Sequence, residues 1–206
     1  MKAYYSGLGR LRMLAGHAAL DLANTTHWRD GRIIDFIPDY GALRGWSVPA
    51  GILTPEESEV LAGLEKGPEA VSVHHRWLEM RRLFRGHLEE LTAAPESPPP
   101  PNGLALALAE VVGPIALQDV AGSFGGPAVQ ISANLPLARS FCAIMNLMLF
   151  TEPASIRQCE GQPCGGFFLN TSRSKPRRWC AMDACGNRAK VHRHREAHGA
   201  AEGHHH

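Results

Sequence analysis

Four cysteines near the C-terminus constrain this chain more than any other feature. They stand at Cys159, Cys164, Cys180 and Cys185, in the pattern C-x4-C, fifteen residues, C-x4-C. Two close pairs joined by a short return of the chain supply opposite edges of a tetrahedron, as a zinc ion on four thiolates requires. Gly161, Pro163, Gly165 and Gly166 let the backbone turn tightly around the first pair. Phe167, Phe168 and Trp179 offer the small apolar core of a hairpin, with the polar stretch 171–176 as its loop. Asp183 is placed to cap a helix running to about Ala197, with Cys185 in its first turn. A helix N-terminus there would favour the thiolate. The competing reading is two disulfides. Nothing upstream directs the chain to an oxidising compartment, so zinc is expected. Four thiolates leave no coordination position for water or substrate, which makes the zinc structural.

The formal charge of +1 hides an asymmetry. Nine basic residues lie between positions 157 and 195, opposed only by Glu160 and Asp183. A zinc ion on four thiolates carries about −2, so part of the positive charge offsets the cluster. The rest needs a partner or a solvated face. Nucleic acid suits it better than a membrane surface, because no aliphatic face accompanies the charges. Arg188, His192 and Arg195 recur at helical spacing, with Lys190 and Arg193 on adjoining faces. Arg173, Lys175, Arg177 and Arg178 extend the positive surface from the loop. These nine are the expected nucleic-acid contacts.

The 206 residues suffice for one domain and a small module, and 44% apolar with 20% charged residues is ordinary for a soluble protein. No clean apolar region follows Lys2, Arg10 and Arg12. The longest apolar run, residues 141–150, is too short to cross a bilayer and contains Asn146. The expectation is a cytoplasmic protein with reduced thiols and no membrane partner. The three final histidines read as a purification-tag remnant and stay outside the metal argument.

Along the chain, residues 1–13 look irregular. Leu14, Ala18, Leu22 and Thr25 give helical spacing over 14–27. The end of that helix gathers Asp21, Asn24, Thr25 and His27 before Trp28. Such a cluster either fixes a small ligand or is spent locally. In the local case Asn24 and Thr25 cap the helix, and Asp21 pairs with an arginine of the long helix. Asp39 is expected to cap a helix, and Thr54-Pro55-Glu56-Glu57 is a capping box. The longest helical pattern covers 68–94, with Val73, Trp77, Met80, Phe84, Leu88 and Leu91 inward. Arg76, Arg81, Arg82 and Arg85 fall mostly off that stripe and read as a solvated face. A proline-rich connector at 95–101 leads to a short helix at 104–112. Strands are expected at 115–120 and 128–132, then a helix to Phe150 in which Cys142 acts as a small hydrophobe.

The run from Ser172 to Arg195 resembles the CGNR zinc finger, named after the residues standing here as Cys185, Gly186, Asn187 and Arg188. The resemblance includes the earlier cysteine pair and Arg177-Arg178-Trp179-Cys180. The N-terminal half resembles the ABATE domain, through Leu20-Asp21-Leu22-Ala23-Asn24-Thr25 and Tyr40-Gly41-Ala42-Leu43-Arg44-Gly45-Trp46. The implied architecture is mainly α. A helical domain with minor strands covers 1–152, and a zinc module of knuckle, hairpin and helix, similar to a treble clef, covers 153–198. A tail covers 199–206. The implied function is transcription regulation. The module would contact DNA, and the helical domain would sense a small molecule or form a homodimer. Two other classes compete. One is a protein-interaction module whose charges balance the cluster. The other is an enzyme around Asp21, Asn24, Thr25 and His27, where no nucleophile–base pair or phosphate loop is seen, so no catalytic activity is expected. Loss of a cysteine is expected to unfold the module and leave the helical body intact.

Overall fold

The longest apolar stripe becomes the longest helix, around which the others gather. The computed structural model describes residues 3–6, 9–29, 32–97, 99–121, 131–172 and 176–202, and it is mainly helical. Helix α4, Pro68–Ala93, buries Val73, Trp77, Met80, Phe84, Leu88 and Leu91 along one side. Against it pack α1 (Ala18–Ala23), α2 (Tyr40–Ala50), α5 (Pro101–Ala121) and α6 (Leu135–Phe150). Helix α3, Pro55–Ala62, leans on α2. At the centre Trp46 meets Trp77 edge-on, with ring centroids 5.7 Å apart. The Trp77 indole N–H donates to the Ser140 hydroxyl at 3.0 Å, so this buried polar edge is satisfied. The caps fall where the residue types place them. Asp39 accepts the Ala42 N–H at 2.7 Å, and Thr54 with Glu57 closes a capping box.

Other expectations are corrected. The first residues are not irregular: β1 (Ala3–Ser6) and β2 (Gly9–Arg12) form an antiparallel hairpin. The helix expected over 14–27 shrinks to α1. Thr25 turns its hydroxyl back onto the Leu22 carbonyl at 2.8 Å, and the chain leaves as β3 (Thr26–Arg29), paired with β4 (Arg32–Asp35). Ile115–Val120 is helical, not a strand. Gly113 takes a left-handed φ of 69° that kinks α5, and Pro114 restarts the helix, overriding the β-branched bias of the segment. The second expected strand, 128–132, falls largely outside the described residues.

The arginines of α4 are mostly not a solvated face. Arg81 is buried and reaches both carboxylate oxygens of Asp35, at 2.8 and 2.5 Å, and the Thr25 hydroxyl at 2.9 Å. Arg76 donates to the Val112 carbonyl at 2.9 Å and to the Asn134 side chain, tying α5 and α6 to α4. Arg85 donates to the Ala23 carbonyl at 3.0 Å and lies over the Phe167 ring. Arg82 alone of the four behaves as expected, exposed and paired with Glu79.

The C-terminal segment adds β5 (Ile156–Gln158), β6 (Phe167–Leu169) and α7 (Asn187–Glu202). Strands β5 and β6 pair antiparallel, with Gln158 opposite Phe167. Alternation along β6 sends its two phenylalanines to different places. Phe167 joins the main core together with Ile156, and Phe168 packs with Cys159 and Cys185. The Leu169 N–H donates to the Ala15 carbonyl at 2.8 Å. The module is therefore laid against the entry to α1 rather than tethered behind the helical body.

Candidate metal centre

The cysteines are brought together by two different pieces of backbone. The first pair sits in the connection between β5 and β6, closed by Cys159 N–H to the Gly166 carbonyl at 2.8 Å and Cys164 N–H to the Gly161 carbonyl at 2.5 Å. In the second pair, Cys180 precedes a π-type turn, Met182–Gly186, that feeds α7, and Cys185 lies within it. There the Gly186 N–H donates to the Ala181 carbonyl at 3.0 Å. All four sulfurs lie within 4.8 Å of one another, and all five cysteines of the chain are free. Cys180 Sγ is 3.7 Å from Cys164 Sγ and 3.6 Å from Cys185 Sγ. A tetrahedron with Zn–S bonds of about 2.3 Å has edges of about 3.8 Å, so these separations are those of a zinc site.

The surroundings support four thiolates. The N–H groups of Gly161 and Cys180 each donate to Cys159 Sγ at 3.4 Å. An Arg188 guanidinium N–H approaches Cys185 Sγ at 3.6 Å. Hydrogen bonds from the Cys164 and Cys180 thiols hold Cys159 far below the usual thiol range, to about 2, and the same contacts push Cys164 up to about 12 and Cys180 higher still. Thiols this close cannot all ionise unless a cation sits among them, which is what the donor set is built to accept. Gly161 is required by space: a Cβ there would lie 2.9 Å from Cys185 Cβ and 3.4 Å from two of the sulfurs. The residues fit, and Cys159, Cys164, Cys180 and Cys185 would hold one zinc ion. Its chemistry is a cross-link between the two backbone pieces, with every coordination position taken by protein.

Asp183 does not cap α7. The residue ahead of the π-type turn is Ala181, with no side-chain cap, and Asp183 is exposed and paired with Arg12 of β2 at 2.7 Å. Cys185 accordingly lies in the turn before α7 rather than in its first turn.

Of the expected nucleic-acid contacts, Arg188, Lys190, His192 and Arg195 are exposed along α7. Arg177 and Arg178 are exposed but engaged. Arg177 donates to the Leu169 carbonyl at 2.5 Å and covers Phe168, and Arg178 pairs with Glu160 at 2.5 Å beside Trp179. Arg173 and Lys175 lie outside the described residues, as does the side chain of Arg193. A groove of about 400 Å³ runs between α7 and the first knuckle, walled by Trp179, Gln162, Glu160, Arg188, Val191 and Arg195. Sequence reasoning gave Gln162 no role and used Trp179 only as hairpin core.

The polar cluster at the end of α1 is mostly spent internally. Asp21 is buried and accepts the Ala15 N–H at 3.1 Å. Thr25 is fully buried and bonded to Leu22 and Arg81. Asn24 reaches across to the module: its amide donates to the Phe167 carbonyl and its oxygen accepts the Phe167 N–H, both at 2.8 Å. The side chain of His27 lies outside the described residues. Asn24 also borders a smaller cavity of about 190 Å³ at the junction, together with Arg10, Arg12, Leu11, Cys164 and Arg188. The alternating Arg10-Leu11-Arg12 was the one sequence signal for a strand with a basic side there.

The comparisons with known proteins agree with this geometry. A family model for the CGNR zinc finger matches residues 155–198, which hold all four cysteines. A model for ABATE, described as a putative stress-induced transcription regulator, matches residues 16–135, more than half of the chain. No curated protein and no solved structure matches. With its helical domain matched over most of its length and its four thiols gathered in the segment that follows, the chain belongs to the ABATE family and carries a C-terminal CGNR zinc finger.

Proposed function

We propose that this protein is a zinc-containing transcription regulator that binds DNA through α7 and the adjoining loop. In this reading the helical domain serves as a small-molecule sensor or a homodimerisation unit, and the protein works in the cytoplasm. One observation carries the reading. Helix α7 is basic and solvent-facing, with Val191 half exposed, so it has little apolar surface to bury against the body. Exposed Lys190 and Arg195, with Arg188, form a cationic strip suited to phosphates, and His192 lies exposed beside them. The ligand-sensing part rests on Asn24 at the junction cavity, since Asp21 and Thr25 face inward.

A second reading has its own support. Arg177, Arg178 and Arg188 all bond within the module, which lowers the charge offered to a partner. That favours a protein-interaction module. The two separate by salt. If about six phosphates are neutralised, log affinity for DNA should fall against log salt with a slope of about −5. Lys190→Glu with Arg195→Glu should weaken binding without expelling zinc. A flat salt dependence, or unchanged affinity in the double variant, would put the interaction module ahead.

A further inference from the structure

We infer that the groove beside α7 receives a single unpaired nucleobase, so that the module prefers nucleic acid with a flipped, bulged or single-stranded base over a plain duplex. This rests on the reading that α7 engages nucleic acid. A helix that only lays cations along a backbone needs no cavity beside it. Here the cationic strip borders one of about 400 Å³, a size typical of small-molecule sites. Its wall is chemically mixed in the way a base requires. Trp179 is half-buried, its ring edge held where a Cβ on Gly186 would lie 3.5 Å from Cε3, and it also lines the groove. Arg178 lies over one face of the indole, 5.4 Å from the ring centroid, so a base would stack on the other, and any base serves because every base has a π-face. Val191 adds an apolar side from α7.

Polar groups for a base edge line the same groove. Gln162 offers both a donor and an acceptor, and Glu160 offers carboxylate oxygens, oriented by Arg178 at 2.5 Å. Arg188 and Arg195, about two turns apart on α7, line the same groove, where a phosphate joined to the seated base would meet them. Aromatic stacking, edge hydrogen bonding and phosphate neutralisation converge on one pocket. A duplex shields its bases from such a pocket, whereas an unpaired base can enter it.

The test uses the full zinc-loaded chain and fluorescence anisotropy with two labelled DNA probes. They are a short duplex and the same duplex carrying one bulged base. The bulged probe should bind about ten-fold more tightly, the scale of one base stacked on an aromatic ring. Trp179→Leu should bring the ratio of the two affinities close to one. Because Trp179 also packs against the cysteine core, Val191→Met, which adds bulk without a π-face, is run beside it. That exposed position tolerates a larger side chain, which would fill the groove and should abolish the preference with zinc content unchanged. Equal affinity of the unaltered protein for both probes, or a preference that survives Val191→Met, overturns the pocket while leaving nucleic-acid binding in place. No binding to either probe overturns both readings.

Discussion

The helical body and the zinc finger solve the same problem with different means. The body surrounds Trp46, Trp77, Phe84 and Met80 with several helices and excludes water from all of them. Burial of that kind stabilises by roughly 25 cal/mol per Å² of apolar surface. Among the described residues, the finger's own core is a cluster of Cys159, Phe168 and Cys185. So small a cluster cannot offset the entropy of ordering its loops, and the metal must supply the difference. The contrast teaches where each region is vulnerable: the body to lost volume, the finger to a lost ligand. It is not a clean division, because Phe167 and Ile156 of the finger belong to the core of the body.

The largest effect should come from the metal. Cys180→Ser, or a strong chelator, should bring zinc content close to zero and open residues 155–198 to proteolysis, given apparent binding energies of about 10–16 kcal/mol in zinc-finger peptides. Because Phe167 plugs the main core, the melting temperature of the body should fall as well, contrary to the independence expected from sequence. A body whose melting is indifferent to chelation would show the two regions to be separate after all. Next in size, Phe167→Ala should cost about 3–5 kcal/mol of global stability by denaturant titration, with zinc retained. Phe168→Ala should instead weaken zinc affinity and leave the denaturant midpoint of the body nearly in place. If the two variants behave alike, the alternation along β6 does not partition the cores.

Asn24→Ala tests the seam itself. It removes two hydrogen bonds to the Phe167 backbone and should cost about 2 kcal/mol, visible as faster amide exchange at Phe167. The smallest effect belongs to the body alone. The hydrogen bond with Arg139 holds the Glu57 carboxyl below its usual range. A carboxyl lowered in the folded state stabilises above its unfolded value of about 4.3, and that contribution fades as pH falls through the lower folded value. Glu57→Gln should therefore flatten the acid limb of stability by less than about 1 kcal/mol without touching zinc content. A change in zinc content here would mean that the two regions communicate more widely than their contacts indicate.

What could be read from the chain followed from local chemistry. The four thiols are legible because metal geometry imposes spacing on sequence, and the Asp39 and Thr54 caps because capping acts over three residues. The stripe of α4 is legible because it is long. The misreadings share a cause. Arg81 and Arg85 look like surface polar residues until partners 46 and 62 positions away are known, and the tie of Asn24 to Phe167, 143 positions on, is equally hidden. Asp183 looks like a cap because Arg12, which claims it, comes from the other end of the chain. Ile115–Val120 has strand-like composition, and only the restart at Pro114 after the Gly113 kink makes it helical.

The divided allegiance of Phe167 and Phe168 has a practical side. The family boundaries invite treating residues 155–198 as a cassette to be excised or grafted onto another protein. Cut there, the cassette would carry Phe167 and Leu169 with nothing to cover them, and the remainder would keep an empty socket formed by Ala15, Asn24 and Arg85. A transplant that works must bring the socket along, so the heritable unit of this finger is larger than its metal-binding sequence.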